Sequence, residues 1–240
     1  MSGIWEQGVN QFVDGLAQAP VTVSCGRLFN PWHDTDCHDC SPDAHNVRRD
    51  QLRDFLIARH EARYVLVAEA IGYQGGRFSG IAMTSERMLL GHHAHVCPRH
   101  VLPGRCQGQR TSNCNRYTSK NARTQRFGFT EPTATIVWRT LCKCAGLDPF
   151  EFVLWNLVPW HPHKPGDRLS NRTPTDAEQQ AGLYHAKRLV ALFNEPKVIT
   201  VGNKAMEQLY GLGTEVCHAR HPANGGAKAF RCDILRCLDL

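Results

Sequence analysis

Tyr64-Val65-Leu66-Val67-Ala68-Glu69-Ala70-Ile71-Gly72 is the stretch on which the fold turns. Its first five residues form a short, continuous apolar run. A strand buried on both faces reads this way, and such strands belong to parallel sheets. Three similar runs follow: Phe152-Val153-Leu154-Trp155-Asn156-Leu157-Val158, then Val198-Ile199-Thr200-Val201, then Glu215-Val216-Cys217. Helical patterns lie around them. Val47, Leu52, Phe55, Leu56 and Ile57 are the apolar positions of VRRDQLRDFLIARHEA, with charged residues on the other face. Residues 133–144 form another such segment. Residues 175–193 form a third, with Thr175 as N-cap, Glu178 three residues on and Pro174 just before. Residues 203–209 and 226–238 complete the set. Strands alternating with helices predict an α/β fold, a three-layer α/β/α sandwich around a four-stranded, mainly parallel sheet. The expected organisation is a single domain over residues 1–240, with an irregular N-terminal segment 1–45 and an insertion at 91–130. In such sheets ligands bind beyond the carboxyl ends of the strands.

The 240 residues are 42% hydrophobic and 21% charged, an ordinary globular composition that excludes a wholly disordered chain. No apolar run approaches the ~18–20 residues that span a bilayer. The first residues lack the basic start and apolar middle of a secretory signal. A soluble, cytoplasmic monomer with no membrane partner is the expectation. A net charge of +6 favours a polyanionic partner, though a mildly basic enzyme would carry it too. Residues 91–130 contain no Asp or Glu, yet carry Arg99, Arg105, Arg110, Arg116, Lys120, Arg123 and Arg126. This is either a solvated basic loop or a surface for backbone phosphates. Eleven cysteines, an odd number, read as free thiols or metal ligands rather than a disulfide framework.

Each strand end carries chemistry. After the first come Glu69, a glycine-rich turn through Gly72, Tyr73, Gly75 and Gly76, and then Arg77 and Phe78. A carboxylate can orient or deprotonate a water, glycines let the backbone approach a ligand, and a ring offers a stacking face. The plainer alternative is a strand-to-loop turn with Glu69 in a salt bridge. In the second strand, Asn156 is an amide that needs partners, as a structural bridge or a base reader. The last strand leads into His221-Pro222-Ala223-Asn224-Gly225-Gly226-Ala227-Lys228, a small-residue basic loop able to approach nucleic acid.

Together these stretches resemble the uracil-DNA glycosylase superfamily, from about Tyr64 to the C-terminus. Ala68-Glu69-Ala70-Ile71-Gly72 is similar to the first motif of the family 4 type, written GEAPG, with Ala68 and Ile71 as departures. Gly76-Arg77-Phe78-Ser79-Gly80 resembles the segment carrying the stacking phenylalanine. Asn156-Leu157-Val158 resembles the uracil-reading strand, and His221-Pro222-Ala223 the second motif. The resemblance implies that Glu69 activates water and His221 stabilises charge on the departing base. It implies that Phe78 stacks on an extrahelical uracil and Asn156 bonds its Watson–Crick edge, beside Gly72 and Tyr73. Arg77, Asn224, Gly225 and Lys228 would contact DNA containing uracil.

Family 4 enzymes hold an iron–sulfur cluster on four cysteines. Here Cys37-His38-Asp39-Cys40 stands at the first pair, but no cysteine occurs from Phe150 through Val216, where the second pair belongs. The expectation is no cofactor and no metal, with free structural thiols; zinc on Cys37 and Cys40 stays open. A related group stays covalently attached to DNA through a histidine in a Lys-Arg-Arg-Ile-His loop. The comparable residues 121–129 contain no histidine, which favours turnover by water. Two alternatives remain: a glycosylase for hypoxanthine or xanthine, suggested by Ala68 and Ile71, and a nucleic-acid-binding module without turnover, suggested by residues 91–130.

Overall fold

A computed structural model describes residues 2–18, 27–210 and 215–240. In chain order the elements are α1 (Ser2–Gln18), β1 (Leu28–Phe29), α2 (Ala44–Ile57), β2 (Tyr64–Ala70), α3 (Gly76–Ser79), α4 (Glu86–Leu89), α5 (Pro98–Val101), α6 (Ala122–Phe127) and α7 (Pro132–Arg139). A π-helical turn, Thr140–Cys144, extends α7. Then come β3 (Phe152–Val158), β4 (His161–Pro162), α8 (Asp176–Val190), β5 (Lys197–Val201), α9 (Asn203–Leu209), β6 (Val216–Ala219) and α10 (Ala227–Cys237).

The four apolar runs form one parallel sheet in the order β3-β2-β5-β6. Helices cover both faces, and β3 shows how. Phe152 and Trp155 stand three residues apart, so they point to opposite faces. Phe152 meets Trp138 of α7 edge-on at 5.2 Å, and Trp155 meets Phe12 of α1 at 5.5 Å. α8 lies so close to β3 that a β-carbon on Gly182 would fall 2.1 Å from the Leu157 carbonyl oxygen. The expected capping box holds: Thr175 Oγ1 accepts from the Glu178 N–H, and the Glu178 carboxylate accepts from the Thr175 N–H.

Three expectations need correction. The N-terminal segment is not irregular throughout. Ser2–Gln18 is a helix whose Val9, Phe12, Val13, Leu16 and Ala17 recur with helical spacing and are buried. Nor is the acid-free stretch simply a loop. It contains α5 and α6 and is tied down by the buried Glu86 carboxylate. That group accepts from the Thr111 and Ser112 N–H groups (both 2.8 Å) and from Ser112 Oγ (2.5 Å). Finally, not all cysteines are free: Cys217 of β6 is disulfide-bonded to Cys237 of α10. Eight others are free thiols, while Cys25 lies outside the described residues. No helix among the described residues is long and apolar enough to cross a membrane.

Candidate active site

The carboxyl ends of β2, β3 and β6 meet at a cavity of about 300 Å³. Glu69, Gly72, Asn156 and His221 all line it, with Ile71, Met83, Glu131, Thr133, Asn171 and Arg172. Parallel pairing explains part of this convergence. Ala68 of β2 pairs with Asn156 of β3, so the acid and the amide leave adjacent strands at nearly one level. An open groove joins the cavity through Glu69, His221 and Ala223, and runs on past Lys204, Arg220 and Asn224.

Glu69 is half-buried, and its Oε1 is sealed from solvent with no hydrogen-bond partner. Burial raises its carboxyl above the ordinary value; Lys204 works against that shift and Glu207 adds to it. No salt bridge holds it, so the plainer reading of this residue fails among the described residues. Asn156 is 3% exposed, and no described residue hydrogen-bonds its carboxamide. A buried amide left open toward a cavity is poised to read something brought from outside. At His221, Nδ1 accepts the Ala223 N–H at 3.1 Å. In a neutral ring the proton then sits on Nε2, leaving one donor for the cavity. Burial lowers this imidazole below its usual value, which favours that neutral form.

Asn224 and Gly225 lie at the exposed tip of the loop, with φ of 53° and 76°. Asparagine and glycine are the residues that tolerate the left-handed region, so the sequence suits this protruding turn. Asn224 lines the groove, whereas Lys228 is exposed as the second residue of α10 and does not.

Three of the expected site residues lie elsewhere. Phe78 is fully buried, stacked on Phe129 at 4.7 Å and with the Arg77 guanidinium 4.0 Å from its ring centroid. It does not line the cavity and presents no face to a base. Arg77 is also fully buried. Its guanidinium donates to Asp36 (2.7 Å) and Asp39 (3.1 Å), so carboxylates stand where a phosphate would have to be. Tyr73 is half-buried outside the cavity lining, its N–H donating to Asn171 Oδ1 at 3.1 Å.

That last bond orients Asn171, whose NH₂ lies near Gly72. Asn171 and Glu131 are site residues that strand ends alone did not reveal. Arg172, beside them, is locked by both Glu178 carboxylate oxygens (2.6 and 2.8 Å). The wall is braced by His161, whose ring nitrogens lie 3.0 Å from the Ile71 carbonyl and 3.2 Å from that of Arg168. Burial takes its imidazole down to about 4. Met83 contributes an apolar surface from a left-handed backbone, φ 46°. Strained residues of this kind gather at ligand sites.

As for metals, Asp36, Cys37 and His38 bring ligand atoms within 4.8 Å of one another. Asp36 is already engaged by Arg77 and Arg168, and Cys40 donates to the Arg110 carbonyl at 3.3 Å. Among the described residues no four-thiolate set gathers. The donors present therefore do not fit the family 4 cluster.

No protein-family model matches the chain, and no curated protein sequence matches it. Among solved structures it is similar to wild-type SMUG2 of Pedobacter heparinus, with a TM-score of 0.64 and 13% identity. That likeness covers 98% of this chain and 97% of the other. What the two share is the fold.

Proposed function

We propose that the protein is a DNA glycosylase of the uracil-DNA glycosylase superfamily that hydrolyses the N-glycosidic bond of uracil and leaves an abasic site. The observation that carries this reading is the meeting of Glu69, Asn156 and His221 on one small cavity beside a groove bearing Lys204 and Arg220. The fold shared with Pedobacter heparinus SMUG2 supports it, since that protein belongs to the superfamily the motifs resemble.

The cavity sits at the small end of the ~300–1,000 Å³ range of ligand clefts, the scale of a single base rather than a nucleotide. A base in duplex DNA must leave the stack to enter it, at a cost of a few kcal/mol. The C1′–N bond then breaks, its electron pair staying with the base while positive charge builds on the sugar. The Glu69 carboxylate favours that charge and orients a water whose oxygen bonds to C1′. The water's proton passes to Glu69, whose raised affinity for protons suits a general base. The His221 Nε2–H donates to the base oxygen on which negative charge collects; one such donor is typically worth ~2.7–4 kcal/mol. Asn156 bonds the polar edge of the base. Apolar walls from Ile71 and Met83 take the place expected for an aromatic plate.

The test is release of uracil from a uracil-containing oligonucleotide in the presence of a chelator, followed by alkali. Strand cleavage at the uracil is expected. Intact strands with folded protein would leave a nucleic-acid-binding module as the better reading.

A further inference from the structure

Glu131 is an acidic group of the cavity that the mechanism above does not use. It is the first acid after the acid-free stretch and precedes Pro132, at the N-cap of α7. Its carboxyl reaches into the glycine turn after β2: a β-carbon on Gly75 would lie 2.0 Å from Oε2, and one on Gly72 would lie 3.8 Å from Oε1. Although the residue as a whole is half-covered, Oε2 is sealed from solvent and hydrogen-bonds to nothing. No described cation pairs with it: Arg172, the cation of the cavity, is held by Glu178. The other titratable groups around it are Glu69 on β2, His221 after β6, Tyr73 in the glycine turn and, across Thr135, His93. An ionised carboxylate cannot remain dry and unpaired. Burial accordingly pushes this carboxyl up to about 7.

Resting on the glycosylase reading, we propose that Glu131 is a specificity residue that, as a neutral carboxylic acid, donates its O–H to a ring carbonyl of the extruded base. The substrate class follows. Uracil, hypoxanthine and xanthine carry an oxo group where cytosine and adenine carry an amino group. A protonated acid offers the oxo group a donor, and its ionised form offers only acceptors. A carboxylic acid kept neutral by an apolar site is an established way of supplying such a donor. The bond strengthens as the base becomes anionic, so the group favours the transition state over the bound substrate.

The experiment is single-turnover release of uracil and of hypoxanthine from defined oligonucleotides between about pH 5.5 and 9, with wild type, Glu131→Gln and Glu131→Ala. Glutamine keeps a donor and an acceptor but does not titrate. The wild-type rate should fall above pH about 7, and Glu131→Gln should keep most of the rate while losing that fall. Glu131→Ala should lose ~10²–10³-fold, the usual effect of deleting one such donor, with DNA binding unchanged. A second readout needs no substrate. The folded carboxyl keeps its proton up to about 7, against an ordinary value of 4.5. The native state thus binds the extra proton in that window, and wild-type stability falls as pH rises through it. Glu131→Gln should flatten that slope in urea titrations. If the alkaline fall persists in Glu131→Gln, or Glu131→Ala matches wild type, this inference is wrong and the glycosylase reading stands. If the wild type releases no base at any pH, both fall together.

Discussion

The loop after β2 serves two buried polar regions of opposite character. On one side Arg77, Arg48, Asp36 and Asp39 are knitted into ion pairs of 2.7–3.1 Å, and Glu86 nearby receives four donors. On the other side Glu69 and Glu131 each bury an oxygen with no partner, and the Asn156 amide stands open. A network of mutually paired charges fixes structure, because removing one member leaves another charge buried without its partner. Unpaired buried oxygens are expensive to maintain, and the two residues that carry them here, Glu69 and Glu131, line one cavity. Carboxylates thus anchor buried cations and backbone N–H groups in one place and line the cavity in the other.

Mutations should separate the two regions cleanly. On the glycosylase reading the largest effect belongs to the proposed general base: Glu69→Gln should lower single-turnover release by ~10²–10⁴-fold. Its urea midpoint should hold or rise, since a half-buried charge with no counter-ion is removed. Asp39→Ala should do the reverse, destabilising the fold by ~3–5 kcal/mol because the buried Arg48 loses its counter-ion and the buried Arg77 loses one of its two. Equilibrium denaturation checks this, and a stable Asp39→Ala protein would break the comparison. His221→Ala should slow release by ~10²–10³-fold with little change in DNA affinity. The smallest effects lie at the surface. Arg116, Lys120, Arg123 and Arg126 are exposed in the insertion. Replacing any one with Ala should lower the salt dependence of DNA binding by about one counter-ion, leaving the rate of bond breakage intact. An unchanged salt slope in all four variants would mean that DNA does not track over this face.

Much of the sheet was legible because parallel strands buried on both faces are written as near-continuous apolar runs, as in β2, β3 and β5; β6 is a half-buried edge strand that includes His218. The capping box at Thr175 was equally plain. α1 was harder to see: Gly3, Gly8 and Gly15 weaken its helix propensity, and its apolar stripe shows only once a partner surface exists. Glu69, Gly72, Asn156 and His221 share one cavity because they sit at or near strand ends, where the topology of a parallel sheet favours convergence. Phe78 and Arg77 were misplaced because a motif fixes order along the chain and not which way a side chain turns. Here Phe129 and Asp39, from other parts of the chain, capture them. Glu131 carried a faint signal, as the acid that ends a forty-residue stretch without one, immediately before a helix-starting proline. Its burial depends on the glycine turn more than fifty residues upstream, which no local pattern announces.

The far flank of the sheet has its own consequence. β6 is a four-residue edge strand, paired on one side to β5 and joined by Cys217–Cys237 to the helix that packs on it. So short and shielded a ladder gives a second molecule few rungs to dock against. Concentrated solutions of the folded protein should therefore resist strand-mediated clumping, the hazard that open parallel sheets most often carry.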